Sequence, residues 1–234
     1  MTNEVENSEK IVCPKKIIEY CGTPFHSRHK FLIHNGIEDL ITAITGKKTR
    51  GHQGITDYYH PHVITPQAEQ NYYEETNQIR KMLTEARQSN SVYLIQDGAL
   101  AGMTLTEILR RTGVLAAEEA MNHTLGLLPF AKMEDHIIVT LVSPRAALTR
   151  ASFPPEIEGF SVDYRQQMFV YYTVYNEALK LTVANYSRQL PPVHILEFTT
   201  DEFEGQKIFD ANAELTLQLL GLSKSRELLN KLYT

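Results

Sequence analysis

Ile137-Ile138-Val139-Thr140-Leu141-Val142, bounded by Ser143-Pro144, is the plainest strand in the chain, six residues of β-branched and aliphatic side chains. A short apolar run of this kind suits a strand buried on both faces, as in the middle of a parallel sheet. Three further runs read as strands: residues 17–21 closed by Gly22, residues 92–95 ending at Gln96-Asp97-Gly98, and residues 193–198. Between them the pattern turns helical. In residues 31–44, Phe31, Leu32, Ile37, Leu40, Ile41 and Ile44 recur at three- and four-residue steps, with Gly46 as the cap and a break expected near Gly36.

Further helices are expected over residues 67–87, 105–111 with a stop at Gly113, and 116–125. A long helix over 164–190 is ended by Pro191-Pro192, and Tyr171, Tyr172 and Tyr175 read as its packing residues. Helices over 211–220, capped by Gly221, and 225–232 close the chain. Residues 47–66, with Gly51, Gly54, Pro61 and Pro66, read as a long functional loop over the site, where His60 and His62 without a third ligand make a polar contact rather than a metal site. Helices alternating with apolar strands imply right-handed crossovers, and so an α/β fold of three αβα layers around a mostly parallel sheet.

Composition bounds the function. The 234 residues suit one α/β domain over residues 15–234 after a frayed tail at 1–14, and 42% hydrophobic with 22% charged residues is ordinary globular usage. A net charge of −5 and a pI near 6.0 argue against a nucleic-acid partner, which needs a basic surface. No apolar run reaches the roughly 18 residues of a membrane span, and the polar, acidic first ten residues are no export signal, so a cytoplasmic protein without a membrane partner is expected. Cys13 and Cys21 are too few for a disulfide framework, which fits a reducing compartment. Oligomeric state is not read from the sequence.

In an open parallel sheet, ligands bind where strands end and helices begin. After the first strand comes Gly22-Thr23-Pro24-Phe25-His26-Ser27-Arg28-His29-Lys30 and then a helix. Hydroxyls and cationic side chains thus surround a helix start whose free N–H groups and dipole already favour an anion. The competing reading is an ordinary polar turn. No Gly-Lys-Ser or Gly-Lys-Thr closes the loop, so ATP or GTP hydrolysis is disfavoured.

Gly22-Thr23-Pro24 followed by Ser27 resembles the Gly-Thr-Pro-Arg-Ser-Gly-Ser-Thr loop of bacterial sulfotransferases. The run from Ile138 into Ser143-Pro144-Arg145-Ala146, with Ser152 beyond, is similar to that family's strand leading into Arg-Asp-Pro-Arg-Ala and a serine. Residues 193–203, then a helix into Leu219-Leu220-Gly221-Leu222, are similar to its Tyr-Glu-Asp-Leu strand and closing Leu-Gly-Leu.

The resemblance implies a P-loop-like fold and transfer of a sulfuryl group from 3′-phosphoadenosine 5′-phosphosulfate to a hydroxyl or amine of a small molecule, without a metal. Gly22, Thr23, Ser27 and Lys30 would then hold the donor, with Arg28 and Lys30 on the leaving phosphate. Arg145, Arg150 and Ser152 would take the 3′-phosphate, although a solvated helix face remains the other reading of the two arginines. His26, His29 and Asp97 are the candidate bases, and Asp97 has a second reading as the cap of the next helix.

The sequence departs from the family at Phe25, Arg28 and His29, and has Val142 or Ser143 where the 3′-phosphate arginine belongs. A non-catalytic relative with the same fold is therefore an alternative. A second alternative arises at residues 92–105, whose Gln96-Asp97-Gly98 and Thr104 resemble the ribose-phosphate loop of phosphoribosyltransferases, which would imply phosphoribosyl pyrophosphate as donor.

Overall fold

Five parallel strands form one sheet, in the order β2-β3-β1-β4-β5, in a computed structural model that describes residues 15–23, 27–46, 49–53, 66–89, 91–149, 162–202 and 204–222. The strands are β1 (Ile17–Gly22), β2 (Arg50–Gln53), β3 (Tyr93–Gln96), β4 (His136–Val142) and β5 (Val193–Phe198). The helices are α1 (Ser27–Thr45), α2 (Pro66–Gln88), α3 (Ala99–Arg111), α4 (Ala117–Ala131), α5 (Pro144–Thr149), α6 (Val162–Tyr186) and α7 (Gly205–Leu219). The expected tail at 1–14, the helical stretch at 225–232 and residues 54–65 of the long loop lie outside the described residues.

The sheet is central and both of its faces are covered, as the apolar strand pattern requires. Ile17, Cys21, Ile95, Ile137 and Val139 face one layer, where they pack with residues of α2, α3, α4 and α6. Ile18, Tyr20, Leu94 and Ile138 face the other, against α1 and α7. Near the carboxyl ends of β4 and β5 a third cluster joins Val142 to Ala146, Ala147, Met168, Tyr172 and Ile208. This is the three-layer αβα architecture the sequence implies.

Four differences from the sequence pattern have physical causes. The central strand is β1 rather than β4, because β1 pairs with both β3 and β4 while β4 lies between β1 and β5. A strand, β2, lies inside the segment read as loop. Its Arg50-Gly51-His52-Gln53 has no β-branched residue and is held by backbone pairing with β3 at the sheet edge. Helix α3 starts six residues earlier than periodicity indicates, since its residues 99–106 are all buried and its charged face begins only at Glu107. Helix α1 runs unbroken through Gly36, which lets the Phe209 ring of α7 approach: an added Cβ would lie 2.7 Å from it.

Gly22 ends β1 at φ +149°, where a Cβ would lie 1.9 Å from the Thr140 carbonyl oxygen of β4. Only glycine permits both that backbone and that approach. Gly22→Ala is expected to destabilise the fold by at least about 3 kcal/mol, measured as the urea unfolding midpoint at constant slope.

Candidate functional site

The chain leaves β1 toward the β3 side of the sheet and leaves β4 toward β5, so a crevice opens at the carboxyl ends of these two neighbours. Helix α1 begins at Ser27, four residues beyond Thr23, and its N-terminus points into this end of the sheet. Ser27, Arg28, His29 and Lys30 form its opening turn. Three of the expected site residues, His26, Arg150 and Ser152, lie outside the described residues.

Thr23 is committed to the scaffold. Its backbone N–H donates to Thr140 O at 3.0 Å, and Val142 N donates to its Oγ1 at 2.8 Å. The hydroxyl donates to Asn176 Oδ1 of α6 at 2.8 Å, and Asn176 Nδ2 donates to Val142 O at 3.0 Å. This ring pins the start of the β1–α1 loop to β4 and α6, so Thr23 serves the site by fixing its geometry. Arg145, in the first turn of α5, is 71% exposed and pairs with Asp201 at 3.4 Å, a contact that Ser143 shares through its hydroxyl at 3.2 Å. An exposed pair of this kind is weak, and leaves the guanidinium able to turn toward an anion.

Asp97 follows β3 and has no solvent exposure. Its N–H donates to Tyr20 O at 2.7 Å, and it is the one non-glycine residue at positive φ among the described residues, +56°. Strain of this kind gathers at functional sites. Gln96 Nε2 donates to Asp97 Oδ2 at 3.4 Å. The α6 side of this turn holds Tyr175, fully buried, whose hydroxyl has no partner among the described residues. Burial, reinforced by the Asp97 charge, holds the Tyr175 hydroxyl well above the usual phenol range. On the opposite face of the sheet, Tyr20, His34, Gln96, Thr140 and Asn212 line a pocket under α1 and α7.

The expectation that Asp97 caps α3 is corrected. The cap residue is Gly98, and the first free N–H groups of α3 are met from elsewhere. Leu100 N and Ala101 N donate to Glu19 Oε2 and Oε1, each at 3.1 Å, and Ala99 N approaches Glu134 Oε1 at 3.4 Å. Glu19 and Glu134 are both buried, and their carboxyls meet beside Gly98, where an added Cβ would lie 3.0 Å from Glu19 Oε2 and 3.1 Å from Glu134 Oε1. In the segment that resembles a ribose-phosphate loop, residues 92–105, the amides of Ala99, Leu100 and Ala101 thus already hold protein carboxyls. Sequence reasoning passed over both glutamates. The available signal was Glu19 itself, an ionisable residue inside the apolar run Ile17-Ile18-Glu19-Tyr20-Cys21.

Burial pushes the Glu19 carboxyl above the usual carboxylate range against the pull of its hydrogen bonds, and burial beside Glu19 pushes Glu134 higher still. Among the described residues no three His, Cys, Asp or Glu side chains converge as metal ligands, and no helix is long and apolar enough to cross a membrane.

A five-stranded parallel sheet with helices on both faces, and a crevice where its first two interior neighbours diverge, defines an open α/β fold of three αβα layers. No family model matches the sequence, and no curated protein does either. Among solved structures, the chain is similar to thymidylate kinase from Candida albicans, at 9% identity and a TM-score of 0.47, over 86% of this chain and 92% of that one. It is also similar to deoxyadenosine kinase from M. mycoides with bound dCTP, at 14% identity and a TM-score of 0.44, over 86% of this chain and 99% of that one.

The Thr23 ring has a direct test. Thr23→Val keeps the shape but leaves Val142 N and Asn176 Oδ1 without their partner, and is expected to cost about 1–3 kcal/mol in urea unfolding, whereas Thr23→Ser stays within about 1 kcal/mol of the native protein.

Proposed function

We propose that this protein is a group-transfer enzyme that holds the phosphate end of a 3′-phosphoadenosine 5′-phosphosulfate donor at the β1–α1 junction and passes the sulfuryl group to a hydroxyl or amine of a small molecule. The observation that carries the reading is the opening turn of α1, with Arg28 and Lys30, at the carboxyl end of the central strand beside the β1/β4 crevice. A helix N-terminus there supplies amides and a favourable dipole, and in this reading the two cations are assigned to the charge that develops on the leaving phosphate.

Sulfuryl rather than metal-assisted phosphoryl transfer follows from the residue types. Counting from Gly22, four residues lead to Ser27-Arg28-His29, in the frame where an NTP-binding loop carries Gly-Lys-Ser or Gly-Lys-Thr. The cation is kept as Arg28, but an imidazole stands where the magnesium-binding hydroxyl would be. Sulfuryl transfer needs positioning and charge stabilisation, and no such ligand.

In the reaction the acceptor oxygen or nitrogen attacks sulfur in line. The bond from sulfur to the phosphate oxygen breaks, and adenosine 3′,5′-bisphosphate leaves against Arg28 and Lys30. The acceptor proton passes to a base, for which Asp97 is favoured by its buried turn at the end of β3. His26 and His29 are the other bases in reach by sequence, and Arg145, Arg150 and Ser152 are the partners proposed for the 3′-phosphate.

A thermal-shift titration separates the readings. At 100 times its Kd, adenosine 3′,5′-bisphosphate is expected to add about 2.7 kcal/mol, which is roughly 5–10 °C for a chain of this size. In Arg28→Ala the unliganded melting point stays and affinity falls about 10- to 100-fold. A response to ATP with magnesium in place of the bisphosphate would overturn the sulfuryl reading for a phosphoryl one, and no response to either would favour a protein that keeps the fold without the donor site.

Asp97→Asn tests the base. Asparagine tolerates the left-handed turn, so the variant should bind the bisphosphate as the native protein does while transfer to a phenolic acceptor falls by about 10²- to 10⁴-fold.

A further inference from the structure

We propose that Glu19 and Glu134 share one proton and act as a single acid, and that this proton holds the N-terminus of α3 and the adjoining Asp97 turn in position. The pair supports the turn that carries the proposed base, but its test reads stability and amide exchange and so does not depend on the proposed reaction.

The argument begins with the donors available. Three amides, of Ala99, Leu100 and Ala101, face two carboxyl groups inside the protein. A helix N-terminus offers about half a positive charge, enough to favour one buried carboxylate and too little for two. Glu19 takes two well-formed bonds and is the member held as an anion. Glu134 takes only the long contact from Ala99, and its Oε2 is buried with no partner among the described residues. A proton on Glu134 supplies the O–H donor that a pair of carboxylates lacks, and lets the two side chains hydrogen-bond.

The groups acting on the pair offer no other source of positive charge. Asp97, on the β3–α3 turn, raises the cost of ionising Glu19. Burial raises the Tyr175 and Tyr171 hydroxyls of α6 above the usual phenol range, and neither they nor the Cys21 thiol on β1 can supply a positive charge. Ionising both glutamates therefore sets like charges together in a site that water does not enter.

Packing transmits the consequence. At Gly98 an added Cβ would lie 3.0 Å from Glu19 Cδ and Oε2 and 3.1 Å from Glu134 Oε1, so both carboxyls rest against the residue that joins Asp97 to α3. Moving them apart removes the cap of α3 and the support of the left-handed turn together. The pair is thus a positioning device, sensitive to alkaline pH.

The sign is fixed by linkage. Glu134 ionises at its ordinary pH in the unfolded chain and at a higher one in the fold, so its contribution to stability is fully present at low pH and declines as pH rises toward the folded value. The test compares the native protein with Glu134→Gln, whose amide donates to Glu19 and whose oxygen accepts from Ala99 as the protonated acid does. Between about pH 6 and about pH 9 the native melting point should fall several degrees further than that of the variant, on the order of 3–6 °C.

Amide exchange at residues 98–101 should quicken with pH beyond its intrinsic rise in the native protein and not in Glu134→Gln. Glu19→Gln, which loses the anion and turns an N–H₂ group toward an amide, should be destabilised across the whole range. Equal pH slopes in the native protein and Glu134→Gln, or a Glu134→Gln variant as unstable as Glu19→Gln, would overturn the proposal.

Discussion

Both edges of β1 are hydrogen-bonded in register, to β3 through Ile17–Tyr93 and its successors and to β4 through Ile18–His136 and its successors. That double pairing is the constraint on which the rest of the molecule depends. It buries six consecutive residues on two faces, sets Gln96 of β3 and Ile138 of β4 level with Tyr20 between them, and fixes where the chain must leave the sheet to begin α1. Gly22 is required there because the strands come so close that Thr140 O occupies the space of a side chain.

Around this axis two polar devices hold the carboxyl end of the sheet in opposite layers. On the α6 side, Thr23 closes a ring with Val142 and Asn176. On the α7 side, the Tyr20 hydroxyl meets Thr216, and Thr140 meets Asn212, which also donates to Ile208 O. Each fully bonded group is inexpensive to bury, and together they specify how the helices sit on the strands. Glu19 belongs to the same pattern, since its carboxylate replaces the missing side-chain cap of α3 from a neighbouring strand.

Much of the architecture was legible in residue pattern. Val193-His194-Ile195-Leu196-Glu197-Phe198 matches β5 at both ends, and Gly46 ends α1 as its place in the periodicity implies. Tyr172 and Tyr175 are core residues, as their helical setting suggested. Pattern failed where burial was complete or backbone pairing acted alone. The first two turns of α3 have no exposed residue, α4 continues through Pro129 in its last turn, and β2 is recruited by the edge of β3 without any β-forming side chain of its own.

For the site, the sequence by itself determined the chemistry on offer: a glycine, hydroxyls and cations between a strand and a helix, and an acid after the next apolar strand. Residue types and their order suffice for that, because a helix start attracts anions wherever it lies. Only the tertiary structure decided the assignments. It turned Thr23 from a candidate ligand contact into a scaffold bond, excluded Asp97 as a cap, and brought Glu19 and Glu134 together from positions 115 residues apart. Such pairings depend on the register of neighbouring strands and on which face of the sheet each residue takes, relations that no local spacing encodes.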